Sequence, residues 1–464
     1  MPAPLSRADE MVAPLIKQLI TAITTKGQLY EVGGAVRDSL IPGQPVSKDI
    51  DFLVAGIPYQ ELVSILRRFG RVDLVGRSFG VIKFTQQASA GVSSETFDFV
   101  LPRKEYSTGS GHRDFEVEFD HNLNVEDDLG RRDFTINAIA RNVATGETVD
   151  PFSGQRDIQA RLIRITFPNS FVEDPLRMLR AIQFAARFNF EIEPKTYAAI
   201  CENSALIKSV SAERIAEELN KLLVKADKPS VGLILMQKTG LLKYLIPELE
   251  RTVDVDQPGP YHAHPVFEHS VYTVDAAPRS LTVRMAALFH DVAKPQAKRE
   301  IEGGATFYGH EDYGARVARK VLERLRYSND FVDQVVMLID RHMFTTDVSD
   351  KGMRRLIRKV GQGLVFDLLD LRRADVVGQG KGGKTDDVDE FEQRIREELE
   401  RKPPFGLADL ALNGNDLMRE FGLQPGKEIG EILNHLLELV LDFPEKNSYD
   451  VLLEEARAYL KPNA

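Results

Sequence analysis

Residues 28–54 read QLYEVGGAVRDSLIPGQPVSKDIDFLV. Gln28-Leu29-Tyr30-Glu31-Val32 is apolar and β-prone, and it predicts a strand. Gly33-Gly34 breaks that strand, and Ala35 to Leu40 opens a helix. Asp49-Ile50-Asp51-Phe52-Leu53-Val54 alternates and predicts a second strand. On a strand, side chains two apart share a face, so Asp49 and Asp51 converge on one spot. Two hard oxygen ligands side by side suit Mg²⁺, which favours carboxylates together with substrate phosphates. A strand, a glycine pair and a helix start also place backbone N–H groups where phosphate oxygens can sit, with Arg37 one turn further on. Without that context, the same residues describe a solvated strand face and a tight turn.

Outward from this stretch the pattern stays mixed. Residues 8–25 and 58–69 read as helices, and Val81–Phe84 and Thr96–Val100 as further strands. Asp98 on the last of these is a candidate third carboxylate. Pro102–His121 contains Gly109 and Gly111 and reads as a loop beside the site. From about Asp174 onward, long amphipathic helical patterns dominate, among them 174–188, 211–225, 229–239, 281–294, 311–326 and 329–343. The predicted fold class is α+β, a small mixed sheet followed by a long helical body.

Composition bounds the rest. The chain has 464 residues, 60 Lys+Arg against 70 Asp+Glu, and a net charge of −10. Any nucleic-acid contact must therefore use local basic patches. The single cysteine, Cys201, excludes an internal disulfide and a cysteine-based zinc site. No apolar run reaches the ~18 residues of a membrane span. The expected setting is reducing and cytoplasmic.

Three further clusters carry chemistry. In Glu173-Asp174-Pro175-Leu176-Arg177-Met178-Leu179-Arg180, Asp174 suits an N-cap and Pro175 the first helical position. A carboxylate only accepts hydrogen bonds and a guanidinium only donates them. Side by side, Asp174 and Arg177 match the Watson–Crick edge of cytosine or adenine and mismatch uracil and guanine. Capping plus surface ion pairs is the plainer reading of the same spacing. Arg131-Arg132-Asp133-Phe134-Thr135-Ile136-Asn137-Ala138 offers Arg132 and Asn137 to a triphosphate or ribose. His262, His264, His269, His290-Asp291, His310 and His342 make a histidine-rich region able to gather a divalent metal.

In this order, GGAVRD (33–38), DID (49–51), RRDFTINA (131–138), EDPLRMLRA (173–181) and SAERIAEELNKLL (211–223) resemble the class II tRNA nucleotidyltransferase and bacterial poly(A) polymerase family, in the DNA polymerase β-like superfamily. The histidine region is similar to an HD domain, a helical metal-dependent phosphohydrolase module. The resemblance implies a nucleotidyltransferase head at 1–150, a helical neck with the base template at 151–255, an HD-type body at 256–375, and a linker and RNA-binding tail at 376–464. It implies that Asp49 and Asp51 hold Mg²⁺ and that Gly33, Gly34, Arg37, Arg132 and Asn137 contact the triphosphate or sugar. Asp174 and Arg177 would read the base with Arg180 in support. The partners implied are CTP, ATP and the tRNA 3′ end. His269, His290, Asp291 and His310 would hold a second divalent metal. Arg354, Arg355, Arg358 and Lys359, at three- and four-residue spacing, form a candidate RNA-binding face. One departure is Gln183, where many members carry arginine. Poly(A) synthesis and partial (CC- or A-only) addition stay open, as does a phosphohydrolase with an RNA-binding head.

Overall fold

The computed structural model describes residues 14–45, 47, 50–75, 81–86, 96–107, 115–258, 262–302, 304–401 and 403–460. Among the described residues, nine strands fall in the first 150: β1 (Gln28–Val32), β2 (Asp51–Ala55), β3 (Gly70–Val75), β4 (Val81–Gln86), β5 (Thr96–Val100), β6 (Arg103–Ser107), β7 (Phe115–Phe119), β8 (Ala140–Asn142) and β9 (Thr148–Val149). Seven form one sheet, in the order β3-β4-β5-β2-β1-β8-β9. Every pair is antiparallel except β2 with β5.

Alternation sorts this sheet into two faces. Phe52, Phe84, Phe97 and Phe99 share one face, with ring centroids 5.1–6.5 Å apart. Helices Pro14–Thr24 and Tyr59–Leu66 cover it with Ile16, Leu19, Ile23, Leu62, Val63 and Leu66. Tyr30, Val32 and Leu53 pack on the other face with Val125, Leu129, Ala138 and Ala140. Asp51 and Asp98 are register partners across the parallel β2–β5 pair, so they too share a face.

The expectations for β1, β4, β5 and the helix over 58–69 match the structure within a few residues, and that over 8–25 is met from Pro14 to Thr24, residues 8–13 lying outside the described residues. The Pro102–His121 loop does not match. Its described parts include the antiparallel strands β6 and β7, in which the alternating Phe115–Phe119 pairs in register with Arg103–Ser107.

The chain divides into two compact units, residues 1–222 with 231–245, and residues 223–230 with 246–464. In the first unit, helix Leu176–Phe188 buries Met178, Leu179, Ile182 and Ala185. It starts at Leu176, two residues later than the pattern predicts, because Asp174 takes an extended backbone (φ −136°, ψ 97°).

The second unit is helical. Val266–Ala276, Leu281–Phe289, His310–Arg324, Asn329–Arg341 and Leu364–Gly378 surround a core that includes Val271, Leu288, Val321, Leu338 and Leu368. A Cβ on Gly378 would lie 2.2 Å from Thr273 Oγ1, so only glycine lets the Leu364–Gly378 and Val266–Ala276 helices approach this closely. The pattern over 281–294 splits: the helix ends at Phe289, and Lys294–Ala297 forms a separate turn. Arg299–Ile301 and Gly304–Thr306 pair as a small ribbon that the sequence does not announce. Helices Asp350–Val360, Asp386–Glu400, Gly414–Phe421, Lys427–Asp442 and Tyr449–Leu460 also belong to this unit.

Candidate functional site

In the head, β1 runs into Gly33, whose φ of +78° lies in the left-handed region that favours glycine. Arg37 N–H donates to Gly33 O at 3.2 Å and starts helix Gly34–Leu40. A Cβ at Gly33 would stand 3.1 Å from Asp51 Oδ2 and 3.6 Å from Arg132 Nη1. A carboxylate and a guanidinium therefore converge on one bare backbone corner. Asp98 flanks Asp51 on β5. Asp49 lies outside the described residues.

Arg37 differs from its expected role. It is 5% exposed, and its Nε donates to Asp38 Oδ1 (2.8 Å) and its Nη1 to Asn137 Oδ1 (2.7 Å). Its guanidinium also lies 5.0 and 4.8 Å from the rings of Phe184 and Phe188. Asn137 in turn donates from Nδ2 to Asp133 Oδ1 at 2.9 Å. These contacts tie helix Gly34–Leu40 to Asn137 and to helix Leu176–Phe188. Burying the Arg37 charge costs less than burying an unpaired one, because Asp38 pairs with it.

The network continues. Arg180 Nε donates to Asp133 Oδ2 at 2.8 Å, and its Nη1 reaches Glu218 Oε1 at 3.4 Å. Burial would raise the Asp133 carboxyl, yet Arg180 and the Asn137 amide outweigh it and hold it below the usual carboxylate range. Arg180 thus bridges Asp133 and Glu218.

Asp174 accepts from Leu176 N–H at 3.2 Å, a capping contact one position away from the predicted N-cap geometry. Arg214 grips both of its oxygens, Nη2 to Oδ2 at 2.7 Å and Nη1 to Oδ1 at 3.2 Å. Arg177 donates to Ser170 Oγ (3.0 Å) and to the Arg131 carbonyl (3.2 Å), and lies 5.4 Å from the Phe167 ring. Both residues project from the Glu173–Arg180 segment and are partly buried, each fixed by a separate partner. Arg214 and Glu218, which the sequence reading left unassigned, hold the candidate residues Asp174 and Arg180. The four-residue spacing of Arg214 and Glu218 on one helix face is the signal that carries them.

In the second unit, six side chains converge. His269 Nε2 is 3.1 Å from His290 Nε2 and 3.1 Å from Asp375 Oδ1. His310 Nε2 is 3.2 Å from His342 Nε2 and 3.2 Å from Asp291 Oδ1. Asp291 Oδ2 is also 3.1 Å from His290 Nε2, so this carboxylate touches both triads, His269/His290/Asp375 and Asp291/His310/His342. His290, His310 and His342 each donate Nδ1–H to the carbonyl three residues back, Ala287, Phe307 and Ile339, which fixes the tautomer and leaves Nε2 as the ligand atom.

All six are buried. Imidazole lone pairs that face one another beside two carboxylates demand positive charge between them, so the donor set fits one or two divalent cations. Burial would lower the His290 pKa, but Asp291 and then Asp375 outweigh it and lift it to about 10. Burial and the charge of His290 push His342 down to about 3. The expected ligands His269, His290, Asp291 and His310 are brought together. Asp375 and His342 complete the set, and Asp375 comes from a distant helix with no local signal. The Lys294 ammonium contacts Asp291 Oδ2 at 2.7 Å and Gln257 Oε1 at 2.5 Å. His262 stands edge-on to His269, with ring centroids 4.7 Å apart.

The predicted RNA-binding face is corrected in part. Arg354 is 7% exposed and donates inward to Glu398 (2.8 Å) and to the Leu441 carbonyl (2.6 Å). Arg355 and Arg358 remain nearer the surface but both pair with Glu438. Lys359 is exposed. The helical period puts Arg354 on the inner face because Met353, Ile357 and Val360 around it face the core. Among the described residues, no helix is long and apolar enough to cross a membrane.

Residues 29–164 match the family model of the poly A polymerase head domain, residues 189–252 the RNA- and SrmB-binding site of polymerase A, and residues 304–456 the tRNA nucleotidyltransferase domain 2. The chain is 34% identical to a multifunctional CCA protein of Xanthomonas campestris pv. campestris over 429 residues, 88% of this chain and 96% of that one. It is 33% identical to an A-adding tRNA nucleotidyltransferase of Deinococcus radiodurans over 332 residues, 68% of this chain and 75% of that one. Its fold is that of the Bacillus stearothermophilus CCA-adding enzyme solved in complex with CTP, with a TM-score of 0.70 at 23% identity, covering 97% of this chain and 100% of the other. The head architecture, the order of the matched segments and the near full-length relatives together place this chain in the CCA-adding tRNA nucleotidyltransferase family.

Proposed function

We propose that this protein adds nucleotides from CTP and ATP to the 3′ end of tRNA without a nucleic-acid template. The observation that carries the reading is the convergence of Asp51 Oδ2 and Arg132 Nη1 on the bare corner at Gly33. Asp49, Asp51 and Asp98 would hold Mg²⁺, which when bound offsets charge on the phosphates and lowers the pKa of the attacking hydroxyl. The tRNA 3′-oxygen forms a bond to the α-phosphorus, the α–β bridging bond breaks, and pyrophosphate leaves. Arg132 would meet the triphosphate charge, and the bare Gly33-Gly34 backbone would let it approach. Asp174 and Arg177 would read the exocyclic amine and ring nitrogen of cytosine or adenine. A wrong base leaves buried polar groups unpaired, which separates substrates strongly.

The expected division into head, neck, body and tail accompanies this reading, as does a cytoplasmic setting where tRNA substrates reside. A narrower product, CC alone or A alone, is the neighbouring alternative, since a relative described as A-adding also matches this chain.

A second reading concerns the six-ligand cluster. Its donor set supports a divalent-metal phosphohydrolase of the HD type, independent of nucleotide addition. Two variants separate the activities. D51N is expected to lower incorporation at least ~100-fold, the size of several kcal/mol of lost charge stabilisation, and to leave hydrolysis of phosphomonoesters intact. H290A is expected to do the reverse. Incorporation that survives D51N overturns the polymerase reading.

A further inference from the structure

Asp128 is fully buried, and neither of its oxygens is idle. It sits on helix Val125–Gly130, whose first turn is fixed by Asn124 Oδ1 accepting from Asp127 N–H at 2.9 Å. Arg131 donates from Nε to Asp128 Oδ1 at 3.0 Å and also engages it through Nη2. Arg132 donates from Nη2 and Nε to Asp128 Oδ2 at 3.1 and 3.3 Å. Burial alone would raise this carboxyl, but Arg132 and Arg131 hold it below the usual range.

From this one carboxylate two arms extend. Along one, Arg132 Nη1 reaches the Gly33 corner beside Asp51. Along the other, the Arg131 carbonyl accepts from Arg177 Nη2 at 3.2 Å. The first arm ends where the triphosphate would sit, and the second at the base-reading guanidinium. An ionised aspartate is costly to bury unless it is doubly engaged, so its place between the arms needs both arginines.

We infer that Asp128 is a positioning residue that ties the triphosphate-holding Arg132 to the base-reading Arg177, so that a base correctly read at one end is registered as phosphate geometry at the other. This rests on the reading that Arg132 and Arg177 contact the nucleotide. Asp128 itself touches no substrate. It acts by fixing the fork of Arg132 and the peptide carbonyl that steadies Arg177. A shift of under an ångström at either end is enough to cost rate when reacting groups must meet in line.

The test is a double-mutant cycle with D128N and R132Q, read as kcat and KM for CTP, ATP and UTP on a tRNA lacking its terminal CCA, with thermal melts of each variant. D128N is expected to lower kcat/KM for CTP and ATP at least ~10-fold and to narrow the margin over UTP by a similar factor. In the R132Q background, the same substitution should cost less than ~3-fold, because the arm it positions is gone. Additive losses, or D128N constants within about 2-fold of the parent, overturn the inference. An R132Q enzyme with unchanged affinity for CTP would instead sink the reading beneath it. Should D128N fail to fold, R131Q removes one contact from Asp128 while keeping its bond to Arg132. It is expected to narrow the CTP/UTP margin with the KM for CTP unchanged, and an unchanged margin counts against the coupling.

Discussion

The Asp174 carboxylate and the Arg214 guanidinium meet through two bonds, Nη2 to Oδ2 at 2.7 Å and Nη1 to Oδ1 at 3.2 Å, across two helical segments of the same unit. This contact orients the acceptor that would read the base amine. A two-pronged charged contact is stronger and more directional than a single surface pair. Arg214 and Asp174 side chains are about one-third and one-fifth exposed, so solvent weakens the pair without abolishing it.

R214Q is accordingly expected to lower kcat/KM for CTP and ATP about 10-fold and to relax rejection of UTP, with R214K recovering part of the loss. Steady-state kinetics with single nucleotides check this. Unchanged discrimination would mean Asp174 needs no holder.

Acid should weaken the first unit through Asp128 and Asp133, both held below the usual carboxylate range by neighbouring arginines despite burial. A depressed folded-state pKa adds stability that is fully present above the unfolded value of about 3.9 and is lost as pH falls through the folded value. Urea midpoints of the parent are thus expected to fall as pH drops below ~4, and those of D133N, already lower at pH 7, to fall less steeply. Parallel pH profiles would contradict the assignment.

Metal should stabilise the second unit. After exhaustive chelation, adding Mn²⁺, Ni²⁺ or Zn²⁺ at a hundredfold over Kd is expected to add about 2.7 kcal/mol, read as a raised melting transition. H290A should show no such response. Equal responses in both proteins would place the metal elsewhere.

Arg354 should matter to folding rather than to RNA. R354A takes from Glu398, itself 3% exposed, its buried partner and leaves only the largely exposed Arg401 at 3.3 Å, so a loss of about 1–3 kcal/mol is expected in denaturant titrations. K359A, on the exposed side of the same helix, should stay within ±0.5 kcal/mol. Stability unchanged in R354A would restore it to the candidate RNA-binding face.

The legible parts of this molecule are those written locally. The strand-glycine-helix sequence at 28–40 and the alternation of β5 predict their elements because period and turn chemistry are short-range. His269, His290, Asp291 and His310 were legible through the resemblance of their region to an HD domain, not through their spacing. Asp375 was not, because it joins the cluster through a helix crossing that depends on Gly378 packing on Thr273. Arg37, Asn137 and Arg354 misled for a common reason. Residue type says that a group is polar, and only tertiary packing says whether its donors face solvent or a buried carboxylate. The β6–β7 pair was read as a loop because its glycines outweighed the alternation beside them.

The most direct test of the account is single-nucleotide incorporation. Purified protein with Mg²⁺ would be offered a tRNA lacking its terminal CCA, and one ending in CC, with CTP, ATP, UTP or GTP singly and with CTP plus ATP. The account predicts two C additions on the first, one A on the second, the full terminus with both nucleotides, and refusal of UTP and GTP. Addition of CC alone or A alone would narrow the product to a partial activity. Incorporation of UTP as readily as CTP would contradict base reading by Asp174 and Arg177, and no incorporation of any nucleotide would contradict the central claim.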